Sequence, residues 1–274
     1  MKFADLHLHT IFSDGTHTPG ELIKEAMAAG ISCIAISDHD TIDGVCSLTA
    51  GGMKEGIEVL PALELSCEHE GREVHILGYL VDCEKHKLRE KLNYLKENRI
   101  KRVYSITDKL KALGIPLDPE KVFQLAKYGT VGRLHIARAM VSEGFVNSTF
   151  EAFQKYLGDD CPAFVLGFKF SVQEAIKLIK ESGGIPVLAH PYTMDNDELI
   201  LKFIKYGLMG LEVYYPEHNS LKRELYLGLA EKYNLLVTGG SDYHGSAKPL
   251  VKVGSVKIPY ELVENLKNAK EGIN

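Results

Sequence analysis

The fold of this chain is decided by residues 2–40, KFADLHLHTIFSDGTHTPGELIKEAMAAGISCIAISDHD. Alternation of polar and apolar residues over 2–10 predicts a strand. A helix over 18–30 is predicted next, because Thr18 followed by proline is a typical helix start. The apolar run within 32–40 is typical of a buried parallel strand. This stretch therefore predicts a strand, a helix and a second strand parallel to the first.

The same alternation continues along the chain outside one central segment. Residues 57–82 are predicted to form a strand, a turn at Glu70–Gly71 and an antiparallel return strand. From 171 to 270 helical and strand patterns alternate again. Such repetition predicts an α/β fold, a parallel barrel with right-handed crossovers.

The central segment contains no strand pattern. It begins with a long, charged amphipathic helix, and shorter helical patterns follow; the four lie at 86–114, 119–127, 133–143 and 148–157. We therefore predict an all-helical insertion over 87–166, which interrupts a barrel formed by residues 1–86 and 167–274.

Composition and charge exclude several classes of protein. The 274 residues are 45% hydrophobic and 25% charged, which is ordinary for a globular domain. Because the net charge is −5, no bulk positive field attracts duplex DNA or an anionic membrane. No apolar run reaches the roughly 18 residues of a membrane span, so we expect neither a membrane segment nor a signal peptide. The five scattered cysteines indicate reduced thiols and a cytoplasmic protein.

Potential metal ligands gather at one end of the predicted barrel. In a parallel α/β barrel, functional side chains lie at the carboxyl ends of the strands. Six histidines and three carboxylates map to this end: His7, His9, Asp14, His39, Glu64, His75, His190, Asp242 and His244. Any one of these residues alone would be unremarkable, but nine that converge predict a metal centre.

The donor types narrow the identity and number of the metal ions. Mixed imidazole and carboxylate ligands suit Zn²⁺, Fe²⁺ or Mn²⁺ better than Mg²⁺ or Ca²⁺. Nine protein ligands exceed the roughly four to six positions around one ion, so we expect two or three divalent transition-metal ions. Glu64 is the natural bridging ligand, because a carboxylate inside an apolar strand needs cations to stay ionised.

Five segments carry a resemblance to a known family. DLHLHTIFSDGTHTP, ISDHDTIDG, EVHILGY, VLAHPY and SDYHG together resemble the polymerase and histidinol phosphatase (PHP) superfamily. The resemblance implies a distorted (β/α)7 barrel with a trinuclear metal centre. It also implies three ligand sets: His7, His9, Glu64 and Asp242; Glu64, His75 and His190; Asp14, His39 and His244. Every position holds a competent ligand, which argues against a degenerate, non-catalytic domain.

One segment of the insertion bears on the substrate. TVGRLHIARAMVSEGFV, residues 130–146, resembles PHP enzymes that remove phosphate from nucleoside 3′,5′-bisphosphates, some of which also trim short RNA from its 5′ end. The resemblance implies that the insertion covers the site and that Arg133 and His135 hold the phosphate that is not cleaved. An arginine offers a planar fork to phosphate oxygens, which suits this role. Lys169 and His218 are further candidates for substrate contact.

We therefore predict a phosphatase whose partner is a small phosphorylated substrate, a nucleotide or a short RNA. A hydroxide that bridges the ions would attack phosphorus, with no catalytic residue beyond the metal ligands. Three alternatives remain open: a histidinol phosphatase, a 5′-to-3′ exoribonuclease on short RNA, and a non-catalytic metal-binding regulatory domain.

Overall fold

A computed structural model of the protein describes residues 2–48, 56–167 and 170–272. These residues form eight strands in one sheet: β1 (Phe3–Leu8), β2 (Cys33–Ile36), β3 (Glu58–His69), β4 (Arg72–Tyr79), β5 (Ile185–Leu188), β6 (Gly210–Tyr214), β7 (Leu236–Gly239) and β8 (Ile258–Pro259). Their order in the sheet is β7-β6-β5-β4-β3-β2-β1-β8.

Ten α-helices accompany this sheet in the described part of the chain: α1 (Pro19–Ala28), α2 (Asp43–Cys46), α3 (His86–Ala112), α4 (Pro119–Leu125), α5 (Arg133–Ser142), α6 (Thr149–Ala152), α7 (Val172–Glu181), α8 (Leu199–Tyr206), α9 (Ser220–Tyr233) and α10 (Glu261–Glu271). A π-helical turn (Phe153–Leu157) follows α6. None of the helices described is long and apolar enough to cross a membrane.

The opening strand, helix and strand form as predicted. The Thr18 hydroxyl accepts a hydrogen bond from the backbone N–H of Glu21, and the Glu21 carboxylate accepts one from the N–H of Thr18. This reciprocal cap satisfies two backbone donors that a helix start leaves unpaired. β1 and β2 pair in parallel, with Ala4 opposite Cys33.

Two strands run against the direction of their neighbours: β8, which is antiparallel to β1 at one edge of the sheet, and β4 within it. β4 is antiparallel to both β3 and β5, so β5 again runs in the same direction as β3. The predicted turn at Glu70–Gly71 is present, and both of its residues have positive φ angles of 52° and 84°. At the other side, the N–H of His9 donates to the carbonyl of Tyr243 at 2.9 Å, which nearly closes the barrel. The predicted α/β barrel is confirmed.

The segment between β4 and β5 contains helices and no strand among its described residues. Apolar side chains of α3, α4 and α5, such as Val103, Val122 and Met140, form a hydrophobic cluster of their own. A separate core lies where α1 and α7 pack on the sheet, with Leu22 and Ile176 among its buried residues. The all-helical insertion is confirmed, whereas its domain boundaries stay a prediction.

Candidate metal centre

Glu64 stands at the middle of the predicted ligand cluster. Its carboxylate, on β3, is only 1% exposed. Five imidazole nitrogens lie within 3.3 Å of its two oxygens: those of His7, His9 and His39 around Oε2, and those of His75 and His190 around Oε1. Strands and loops far apart in sequence therefore place five rings around one buried carboxylate.

The remaining predicted ligands complete the same cluster. Asp242 Oδ1 lies 3.1 Å from His9 Nε2, and Asp14 Oδ1 lies 3.2 Å from His244 Nε2. Three groups have ligand atoms that all lie within 4.8 Å of one another: His9, Asp14, His39 and His244; His7, His9 and Asp242; His39, Glu64 and His75. The structure thus brings all nine residues together. Because His9 and His39 each belong to two groups, the assignment of ligands to individual ions stays a prediction.

Three of the rings form a hydrogen bond through the nitrogen that does not face Glu64 or Asp14. His7 Nδ1 lies 2.8 Å from Glu212 Oε1, and His75 Nε2 lies 3.1 Å from the carboxylate of Glu73. His244 Nδ1 donates to a backbone carbonyl at 2.8 Å. Ligating histidines in proteins usually donate their second N–H to a carboxylate or carbonyl, which fixes the tautomer and aims the other nitrogen at the metal.

The ligand atoms of the centre satisfy one another incompletely, and bound metal ions would complete their bonding. His9 Nε2, Asp14 Oδ1 and His39 Nδ1 are buried and lack a hydrogen-bond partner among the described residues. Leaving such groups unsatisfied costs on the order of 1–3 kcal/mol each, more when they are charged. Divalent cations bound among these atoms would satisfy all three.

Electrostatics at the centre favour ionised carboxylates. Burial by itself would raise the pKa of Glu64, but the imidazoles of His39 and His75 hold that pKa well below its usual range. Burial likewise disfavours the charged form of His9, but Asp242 and Glu64 outweigh it and raise the pKa of His9 to about 9. The carboxylates are therefore ionised, and the imidazoles that carry protons beside them would have to release those protons to bind a metal ion.

A cavity of about 170 Å³ connects this centre to the helical insertion. It is lined by the ligand residues His39, His75 and His244 and also by Arg99, Arg102 and Arg133. Metal-ligand side chains and guanidinium groups that line the same cavity suit a substrate with two anionic groups.

Arg99 and Arg133 differ in the acceptors that their guanidinium nitrogens contact. Arg99, buried on α3, donates to Asp40, to the Ser66 hydroxyl and to a backbone carbonyl, so its three nitrogens each have an acceptor. Arg133, at the start of α5, donates through Nη1 to Asp159 at 2.8 Å, and its Nη2 lies 3.3 Å from Glu73. The N–H groups of Arg99 thus hold the insertion against the barrel. Arg133 has N–H groups that face the cavity.

In the described part of the chain, none of the other residues predicted to contact substrate lines the cavity. His135 is buried, its Nδ1 accepts the N–H of Gly132, and burial lowers its pKa to about 4, so the ring is neutral near pH 7. His218 is also buried, donates through Nδ1 to the carbonyl of Val213, and packs between tyrosine rings. Neither lines the cavity. Lys169 lies outside the described residues.

Sequence reasoning missed several residues of the site. Glu212 is a fully buried carboxylate inside the apolar strand β6, the same signal that pointed to Glu64. Arg102 occupies a position on the buried face of α3, where an apolar residue is usual. Lys248, whose Nζ lies 2.7 Å from Asp242 Oδ2, had no local signal.

Comparisons with known proteins agree with this geometry. A model of the PHP domain family matches residues 5–243. A 5′-3′ exoribonuclease of Haemophilus influenzae is 36% identical over 89% of this chain and 90% of its own length. A phosphoribosyl 1,2-cyclic phosphate 1,2-diphosphodiesterase of Eggerthella lenta is 30% identical over 91% and 97%. A 3′,5′-nucleoside bisphosphate phosphatase of Chromobacterium violaceum is 31% identical over 89% and 88%.

The fold has a close counterpart among solved structures. A structure from Bifidobacterium adolescentis, assigned to the metal-dependent phosphoesterases, superposes with a TM-score of 0.89 at 31% identity. The superposition covers 96% of this chain and 94% of the other. The barrel and the insertion therefore recur together in that protein.

Proposed function

The chain belongs to the PHP domain family, and from this premise we propose that it removes one phosphate from a nucleoside 3′,5′-bisphosphate, leaving the 5′-monophosphate. As a member of that family it is a metal-dependent phosphoesterase. The proposal concerns the substrate, the residues that hold it and the number of ions.

A single observation carries the proposal: one cavity is lined both by ligand residues and by arginines. The phosphate to be hydrolysed would lie against His39, His75 and His244, and a second phosphate would lie against Arg102 and Arg133. A guanidinium group binds phosphate oxygens through two parallel N–H groups and keeps its charge at any physiological pH. Two anionic groups on one small molecule are therefore what this cavity suits best.

The nine ligands would hold two or three divalent transition-metal ions, such as manganese, iron or zinc. Bound there, such ions supply an activated water and neutralise charge on the phosphate oxygens. The chain itself orients the ligands: Glu212 fixes the ring of His7, and Glu73 fixes that of His75. Lys248 and the Tyr215 hydroxyl both donate to Asp242 Oδ2, which leaves Oδ1 facing the imidazoles.

Recognition of the second phosphate would rest chiefly on Arg133. Its Nη2 faces the cavity, while Nη1 is held by Asp159 and a backbone carbonyl, so the guanidinium plane is positioned before substrate arrives. His135 would act through the backbone of Gly132 at the start of α5. For Lys169 and His218 the proposal of a substrate contact rests on their sequence positions alone.

The names of the relatives share a chemical theme that supports this substrate class. A nucleoside bisphosphate, a phosphoribosyl cyclic phosphate and an RNA strand each contain a ribose with phosphate at two places. One phosphate would react and the other would be held. Histidinol phosphate has no second phosphate, so the arginines would have no anion to bind.

A second candidate function is 5′-to-3′ removal of nucleotides from short RNA, favoured by the Haemophilus influenzae relative. The two functions differ in the bond that is broken. A bisphosphatase hydrolyses a terminal monoester and releases inorganic phosphate, whereas an exoribonuclease hydrolyses a diester and releases mononucleotides.

The test is a substrate panel with the manganese-loaded protein. Adenosine 3′,5′-bisphosphate, a 5′-phosphorylated RNA trimer, a phosphoribosyl 1,2-cyclic phosphate and histidinol phosphate are compared by kcat/KM. We expect the bisphosphate to be turned over fastest, with release of inorganic phosphate. A higher kcat/KM on any of the other three would replace the proposed substrate, and bound metal without turnover of any would favour a regulatory domain.

A further inference from the structure

Glu73 contacts both a ligand residue and two arginines of the cavity. It lies on β4 two residues before His75, so both side chains point to the same face of the sheet. Glu73 Oε1 lies 3.1 Å from His75 Nε2 and 3.3 Å from Arg133 Nη2, and Oε2 accepts from Arg102 Nη2 at 2.8 Å. One carboxylate, 12% exposed, thus contacts a candidate metal ligand and two candidate phosphate-binding groups.

The two arginines do not depend on Glu73 for their positions. Arg102 also donates through Nε to the carbonyl of Val165 at 2.9 Å. Arg133 also donates to Asp159 and to the carbonyl of Leu157. Both guanidinium groups lie over the ring of Phe164, with centroid distances of 5.8 Å and 5.3 Å. Glu73 is therefore not needed to hold these two side chains in place.

The guanidinium donors that contact Glu73 lie at the cavity, where an anion would compete for them. Two guanidinium groups face one carboxylate here, and all three residues line the cavity. An anion that enters would take N–H donors now directed at Glu73, and the carboxylate would be left with His75 as its main partner.

We propose that Glu73 is a positioning residue that couples anion binding at Arg102 and Arg133 to metal binding through His75. When an anion withdraws the guanidinium donors, the hydrogen bond from His75 Nε2–H to Glu73 strengthens. A stronger bond on that side makes Nδ1 a better metal ligand. By linkage, bound metal then favours the anion by the same factor. This inference rests on the proposed function of the two sites.

The coupling is measured by titration of Mn²⁺ into metal-free protein, with and without saturating sulfate. Sulfate is a tetrahedral dianion that is not hydrolysed, so the titration involves no turnover. We expect sulfate to tighten Mn²⁺ binding to the wild-type protein about fivefold or more, the lower end of typical coupling. In Glu73→Gln, Mn²⁺ should bind about tenfold more weakly, as for other partners of ligating histidines, and sulfate should change that affinity less than about twofold.

Asp159→Asn is the matched control. Asp159 also pairs with Arg133, at 2.8 Å, and among the described residues it forms no hydrogen bond or ion pair with His75. Removal of this carboxylate weakens the support of Arg133, so more sulfate should be needed for saturation. The Mn²⁺ affinity without sulfate, and the factor by which saturating sulfate tightens it, should stay at the wild-type level. Loss of the response in Asp159→Asn as well would overturn the proposal, because the effect would then follow charge around Arg133 rather than Glu73.

A second variant guards against misfolding of Glu73→Gln. Glu73→Asp keeps the charge but is one methylene shorter, so it cannot reach His75 and Arg102 together. We expect it to lose the sulfate response with an unchanged circular dichroism spectrum. A full response in Glu73→Asp would contradict the proposal. These titrations stand apart from the substrate panel: a panel without turnover refutes the proposed function, whereas an absent sulfate response in the wild type refutes the coupling alone.

Discussion

Arg133→Ala separates recognition of the second phosphate from the chemistry at the metal centre. Arg133 lines the cavity together with the ligand residues, and its Nη2 lies 3.3 Å from Glu73. The substitution removes a charge-assisted contact to phosphate, worth about 1.5–3 kcal/mol. Since about 1.4 kcal/mol corresponds to a factor of ten, kcat/KM on a nucleoside 3′,5′-bisphosphate should fall about ten- to hundredfold.

The assay compares two substrates on the same protein preparation. Adenosine 3′,5′-bisphosphate has a second phosphate, and p-nitrophenyl phosphate has none. The fall in kcat/KM should appear on the bisphosphate and should be nearly absent on p-nitrophenyl phosphate, because the lost contact never touched the reacting phosphate. His135→Ala should show the same split with a smaller loss on the bisphosphate.

A matched control comes from the surface of the insertion. Arg89 on α3 pairs with Glu84 at 2.8 Å, is exposed, and does not line the cavity. Arg89→Ala should therefore leave both activities unchanged, since exposed ion pairs contribute little. An equal loss on both substrates in Arg133→Ala would refute the reasoning and place Arg133 in the reaction centre or the fold. No loss on either would show that Arg133 does not hold the second phosphate.

Three further substitutions test the centre and its link to the insertion. Asp242→Ala should abolish turnover and lower the two to three metal ions expected per chain, measured by elemental analysis, while circular dichroism stays unchanged; full activity in a metal-free preparation would contradict this. Glu212→Gln removes the carboxylate behind His7 and should weaken Mn²⁺ binding about 10- to 100-fold in a calorimetric titration; an unchanged affinity would mean that Glu212 does not orient the ring. Gly129→Ala would place a Cβ about 1.7 Å from the carbonyl oxygen of Phe12, so the insertion must shift away from the loop after β1. Both kcat/KM and the free energy of unfolding should decrease. Wild-type values for both would show that this contact can relax.

Much of the site could be predicted from the sequence because its signals are local. His7 and His9 alternate with apolar residues on β1, and a period of two puts both on one face. His39 and Asp242 follow strands, and parallel strands end at the same edge of a barrel. The same reasoning covers Glu212, since a carboxylate inside an apolar strand is as unusual there as at Glu64.

Local patterns did not show which donors remain available for a ligand. Arg99 and Arg102 lie three residues apart on α3, yet Arg99 is consumed by Asp40 and Ser66 while Arg102 faces Glu73. Lys248 meets Asp242 only because the chain after β7 folds back over the site. None of these partners stands at a spacing that a helix or strand would repeat.

The sequence by itself thus determined the α/β barrel, the helical insertion and the kinds of side chain that meet at the strand ends. These follow from hydrophobic periodicity and from the direction of strands, which depend on neighbours along the chain. Only the tertiary structure decided that Glu73 stands between His75 and Arg133. The partner of a buried charge is set by distances between segments remote in sequence, and hydrogen bonds lose their strength within a fraction of an ångström of misplacement.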